Sequence, residues 1–135
     1  MALSIGDAKG AAHVAYDGVR NENYRFPSGG VWSVTQHWAT SITGFKAVYL
    51  THEGRSVLAF AGTDSLLDVA VDIAQLSGGL PPQYGQALVL AAAIQARIGS
   101  RLHLAGHSLG GGLAAFCSAE LQVPATTINP APLVG

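Results

Sequence analysis

The sequence predicts an α/β fold: a mostly parallel sheet flanked by helices. From residue 45 onward, short β-rich runs alternate with helical stretches in the order strand, strand, helix, helix, strand, helix, strand. That alternation builds parallel sheets. The run R-S-V-L-A-F-A-G at 55–62 is apolar almost throughout, as expected of a central strand covered on both faces. A length of 135 residues suits one domain, here 1–135, with a single hydrophobic core.

Each element has its own local cause. Residues 1–16 read as a short amphipathic helix. Residues 17–44 are rich in Gly, Asn, Ser and Pro and read as loops with brief extended pieces. F-K-A-V-Y-L-T-H (45–52) and the 55–62 run form a hairpin joined by Glu53-Gly54. Residues 64–76 read as a helix, with Thr63 or Asp64 able to cap its first turn and Leu67, Ala70, Val71 and Ala74 on one face. S-G-G-L-P-P (77–82) stops it. A second helix runs from about Gln83 to Ile98 and ends at Gly99. R-L-H-L-A (101–105) is a short buried strand, residues 109–121 a helix, and A-T-T-I-N (125–129) a further strand. A strand there without a following crossover helix or neighbour would be an exposed edge, so the architecture reads as unfinished at Gly135.

Composition narrows the function classes. Hydrophobic residues make up 49% of the chain and charged residues 11%, well below the usual quarter or so. Apolar surface is therefore expected to meet something else: a further part of the fold, another chain, or lipid. The net charge is −1 and the seven Lys and Arg residues are scattered, which argues against a nucleic-acid partner. With one cysteine, Cys117, the chain can form neither an internal disulfide nor a thiolate zinc cluster. The N-terminal stretch places Asp7 ahead of any long apolar run and has no basic region, so it reads poorly as a signal peptide. The longest apolar stretch, A-L-V-L-A-A-A-I at 87–94, is far too short to span a bilayer. Location stays open between the cytoplasm and export by a route that needs no signal.

Chemistry concentrates in L-H-L-A-G-H-S-L-G-G-G at 102–112. Here G-H-S-L-G falls where a short apolar strand meets a helix, the context of a nucleophile elbow. Such a turn strains the central residue, Ser108, and brings the positions two before and two after it into collision. Glycine at 106 and 110 removes that collision. The serine hydroxyl then stands at a helix N-terminus, where unpaired N–H groups and the helix dipole favour negative charge. The N–H of Leu109 would point at an oxyanion formed on ester attack. The 57–73 segment adds a buried strand ending in Gly62-Thr63. Thr63 is either a simple helix cap or a second oxyanion donor, and beside an elbow the donor role is favoured.

The pair L-A-F-A-G-T-D-S and L-H-L-A-G-H-S-L-G-G-G-L-A-A-F, with T-T-I-N-P-A-P-L-V-G after them, resembles the class 3 (fungal-type) lipases and their bacterial relatives over about residues 40–135. The resemblance implies an α/β-hydrolase-like fold and a Ser-His-Asp acyl hydrolase acting on lipid or other carboxylic esters. Ser108 would be the nucleophile, Thr63 and Leu109 the oxyanion hole, and the segment after Thr63 would occupy the place of the lid. No cofactor is implied. The sequence departs from the family at Ala61, where arginine is common, and at Val69, where tryptophan is frequent.

What the sequence lacks is a base. The α/β-hydrolase order is Ser, then Asp or Glu, then His. After Ser108 there is no histidine, and Glu120 reads as a solvated helix residue. Upstream, His107 is adjacent to the serine and should point elsewhere. His103 lies in the strand below and reads as a satisfied, half-buried histidine. His52 ends a hairpin strand beside Glu53, and His13 and His37 fall in weakly patterned regions. Asp64, Asp68 and Asp72 share a helix face and read as solvated rather than as a cation site. The expectation is an N-terminal portion of a serine hydrolase, its Asp and His supplied from beyond residue 135 or by a second polypeptide. The competing expectation is an inert half-domain that binds a partner chain or lipid, or self-associates.

Overall fold

The computed structural model describes residues 3–40, 44–61 and 82–128. The expected helix over 64–76, its stop at 77–81, Thr63 and the Asp64, Asp68 and Asp72 face lie outside the described residues. Within them the chain runs α1 (Ile5–Asp17), β1 (Asn23–Arg25), β2 (Val31–Ala39), β3 (Lys46–His52), β4 (Arg55–Ala61), α2 (Pro82–Ile98), a 3-10 turn (Gly99–Arg101), β5 (Leu102–His107), α3 (Leu109–Leu121) and β6 (Ala125–Ile128).

The six strands form one mixed sheet in chain order, β1 to β6. The expected parallel portion is β4-β5-β6, with Phe60 opposite Gly106 and His107 opposite Ile128. The hairpin and the residues before it add three antiparallel pairings, β1–β2, β2–β3 and β3–β4. The β3–β4 turn is two residues long, with Glu53 at φ 47° and Gly54 at φ 79°. Positive φ at both positions gives the tight hairpin turn whose twist matches that of the strands.

The 17–44 region differs from its loop-like reading. It contains the nine-residue strand β2, and the physical reason is a bulge. Val34 pairs with Leu50 but Gln36 pairs with Tyr49, so the register shifts at Thr35. An extra residue reverses which side chains face which way. Trp32 therefore packs on one face of the sheet and Trp38 on the other, although both positions are even. A search for strict alternation across 31–39 fails for that reason.

Alternation in the central strands splits the core in two. Ala47, Tyr49, Leu58, Phe60, Leu102 and Leu104 face α2 and α3. Val48, Leu50, Val57, Ala59, Ala61 and Ala105 face α1. Both faces are covered, which is why β3, β4 and β5 read as continuous apolar runs. Helix α1 starts at Ser4, whose hydroxyl accepts the Asp7 N–H at 3.1 Å. It rests on the sheet through small residues, Ala8, Ala11, Ala12 and Ala15. No helix of the described residues is long and apolar enough to cross a membrane.

Candidate active site

Ser108 sits between the last residue of β5 and the first of α3, half-buried, with φ 55° and ψ −119°. A non-glycine residue holds such a conformation only when its surroundings enforce it, at a cost of about 1–3 kcal/mol. Three contacts enforce it here. The Ser108 N–H donates to the Ile128 carbonyl at 2.9 Å, tying the turn to β6. The Ser108 carbonyl accepts from the Gly112 N–H at 3.1 Å, tying it to α3. The third contact is the close approach that glycine permits. A Cβ on Gly106 would stand 2.0 Å from the Gly110 carbonyl oxygen, and a Cβ on Gly110 would stand 2.0 Å from the Phe60 carbonyl oxygen. The first turn of α3 is thus pressed against both β5 and β4 by the two glycines of G-H-S-L-G.

The serine side chain is not consumed by this scaffold. Ser108 occupies the N-cap position of α3, yet its hydroxyl makes no capping bond and no other hydrogen bond among the described residues. Leu109, buried, begins α3, so its N–H is one of the first-turn amides with no intrahelical acceptor. Ser108 Oγ and the Leu109 N–H are thereby brought together at one helix end. Thr63 lies outside the described residues. The strand that leads to it ends at Ala61, whose Cα would be 3.1 Å from a Cβ on Gly110.

Four of the upstream histidines have other neighbours. His107 is exposed and its ring lies 6.5 Å from that of His13 on α1, the two planes 22° apart. His103 is half-buried, its Nε2 2.9 Å from Thr126 Oγ1, and burial lowers its pKa. His52 Nδ1 is 2.7 Å from the Val31 carbonyl, at the far end of the sheet from Ser108. His37 lies exposed on β2. Among the described residues, none of these rings hydrogen-bonds Ser108 Oγ. Glu120 is exposed near the end of α3, and its charge adds to burial in pushing the Cys117 thiol up to about 12.

Sequence reasoning did not find the site's main fastening. The bond from Ser108 to Ile128 joins residues twenty positions apart and leaves no local signature.

A family model described as Phospholipase-like: Tle-like phospholipase domain matches residues 29–134. Over 89 residues the chain is 40% identical to a protein named Extracellular phospholipase A1 from Serratia liquefaciens, a match covering 66% of this chain and 28% of that protein. Among solved structures it is similar to the lipase from Rhizopus microsporus var. chinensis, with a TM-score of 0.56, 16% identity, and coverage of 73% of this chain and 45% of that one. It is also similar to the triacylglycerol lipase from Penicillium expansum, with a TM-score of 0.54, 16% identity, and coverage of 89% and 56%. The chain spans less than a third of the curated relative and under half of the first of these lipases. The likeness to the lipases is one of fold, an α/β-hydrolase sheet flanked by helices.

Proposed function

We propose that this chain, which belongs to the Tle-like phospholipase domain family, carries the nucleophile and part of the oxyanion hole of a carboxylic ester hydrolase that acts on phospholipid. The observation that carries this reading is the state of Ser108: a strained turn at φ 55°, held by bonds to β6 and α3, with a hydroxyl left free at a helix N-terminus. The name of the Serratia liquefaciens relative, a phospholipase A1, supports phospholipid as the substrate class.

In this reading Ser108 Oγ attacks the ester carbonyl carbon while a histidine takes its proton. The carbonyl oxygen becomes an oxyanion that accepts a hydrogen bond from the Leu109 N–H, and a second from Thr63. Collapse of the tetrahedral intermediate expels the alcohol, which takes the proton back from the imidazolium. Water then attacks the acyl-serine by the same route and releases the fatty acid. The aspartate and histidine of this scheme belong to residues outside the 135, on the same polypeptide or on a second one. The short coverage of the relatives supports that assignment.

The test is ester turnover by the full-length protein together with labelling by an organophosphonate. Ser108→Ala should abolish both, and Thr63→Val should lower kcat by a factor on the order of ten to a thousand. Undiminished turnover in Ser108→Ala would end the assignment. A folded full-length protein whose Ser108 resists the phosphonate would favour a lipid- or partner-binding domain with an inert serine.

A further inference from the structure

The rung from the Ser108 N–H to the Ile128 carbonyl has one side-chain bond standing behind it. β6 is entered from Val123 and Pro124, and that end is well anchored. The Ser118 hydroxyl donates to the Val123 carbonyl at 2.6 Å, and the Leu104 N–H donates to the Pro124 carbonyl at 2.9 Å. Ile128 lies at the opposite end of the strand. Apolar packing contributes little between the two ends, since all four residues of β6 are half-buried. Thr126 sits midway between Pro124 and Ile128. Its Oγ1 is 2.9 Å from His103 Nε2, and this is the one side-chain hydrogen bond between β5 and β6 among the described residues. The local sequence permits it. Thr126 pairs directly with Ala105, whose methyl group leaves space. His103, two residues earlier on β5, shares the face of Ala105. Its ring leans along the strand, in the direction of the serine turn, to reach the hydroxyl.

We infer that His103 and Thr126 are positioning residues for Ser108. Their bond holds β6 in register against β5 and, through the Ile128 carbonyl, keeps the serine turn in its positive-φ conformation. The backbone strain at such a residue and the net worth of one hydrogen bond are of the same order. The Ser108–Ile128 rung therefore opposes the strain with little margin, and a second bond two residues away tips the balance. What this pair contributes to turnover rests on the reading of Ser108 as the nucleophile; what it contributes to the backbone of the turn does not.

Two readouts on the full-length protein keep these apart. The first is hydrogen exchange of the Ser108 amide, followed by NMR, which needs no activity. Thr126→Val keeps the branched shape but loses the hydroxyl. It should speed exchange at Ser108 roughly two- to tenfold relative to the amides of β3, which report global opening. The second is ester turnover, where kcat should fall by a similar factor with KM unchanged. Thr126→Ser, which restores the hydroxyl, should recover both. His103→Phe should match Thr126→Val, and the double variant should be no worse than either, as for two partners in one bond. If His103→Phe fails to fold, the valine and serine variants carry the test. Unaltered Ser108 exchange in Thr126→Val, a serine variant as impaired as the valine one, or additive losses in the double variant would overturn the inference. So would exchange that rises equally at Ser108 and in β3, which is the mark of a merely structural bond. If exchange responds as stated while Ser108→Ala leaves turnover intact, the positioning role stands and the nucleophile reading fails.

Discussion

An alanine at Gly110 must place a methyl group where the Phe60 carbonyl oxygen already lies, 2.0 Å away, with the Phe60 carbonyl carbon at 2.7 Å. Ordinary contact begins near 3.4 Å, so helix and strand would have to part by about 1.4 Å. Phe60 cannot easily give way, because β4 is paired on both sides, Phe60 with Ala47 of β3 and with Gly106 of β5. Overpacking against side chains costs roughly 1–3 kcal/mol. Against doubly paired backbone the cost should be at or above the top of that range, a large share of a typical domain's stability of about 5–15 kcal/mol. Gly106→Ala meets the same helix turn from the other side, at the Gly110 carbonyl. Since both substitutions push α3 off the sheet, their costs should add to less than their sum. Gly85, exposed in the first part of α2, has no atom within 4 Å of the place an added methyl would take and is the matched control. There alanine should stabilise by about 0.5–1 kcal/mol through helix propensity. Urea unfolding of the full-length protein, followed by tryptophan fluorescence, reads all four variants. Gly110→Ala within about 0.5 kcal/mol of wild type, the usual spread of a neutral surface change, would refute the steric account of this turn.

Other substitutions probe single groups. Ser108→Gly should raise stability by about 1 kcal/mol by relieving the left-handed backbone, whereas Ser108→Ala, which keeps the Cβ, should leave it nearly unchanged; equal denaturation midpoints for the two would remove the strain argument. At Asp7, burial would raise the carboxyl, but hydrogen bonds from the Ser28 hydroxyl and N–H outweigh it and hold the group below 3.8. A carboxyl more acidic in the folded state contributes stability above its unfolded value, and that contribution is lost as pH falls through the lower, folded value. Asp7→Asn should therefore cost about 1–3 kcal/mol near neutral pH, with the gap to wild type closing below pH 3.8; a gap that stays constant into acid would contradict this. Cys117, fully buried with its thiol near 12, should react with a thiol reagent only at the rate of unfolding, and prompt labelling of native protein would count against the placement of α3.

Much of this structure was legible in the sequence because it is written in short-range pattern. The apolar runs at β3, β4 and β5, the Glu53-Gly54 turn and the helix ending before Gly99 each carry their cause within a few residues. The tight turn at Ser108 was legible for the same reason, since both of its colliding positions are glycine and lie within five residues. β2 was hidden because the bulge at Thr35 divides its apolar residues between two faces. The Asp7–Ser28 contact, likewise, joins two residues with no pattern between them.

The bond from the Ser108 N–H to Ile128 makes the posture of the serine a property of the sheet rather than of its own loop. β6 is an edge strand among the described residues, joined to the rest through β5. The same short strand that closes one side of the sheet also fastens the turn, so fraying there would let the serine backbone relax toward an unstrained conformation. The backbone conformation of Ser108 is then a gauge of how well that edge is seated. Whatever secures β6 also holds the Ser108 backbone in place, without ever touching it.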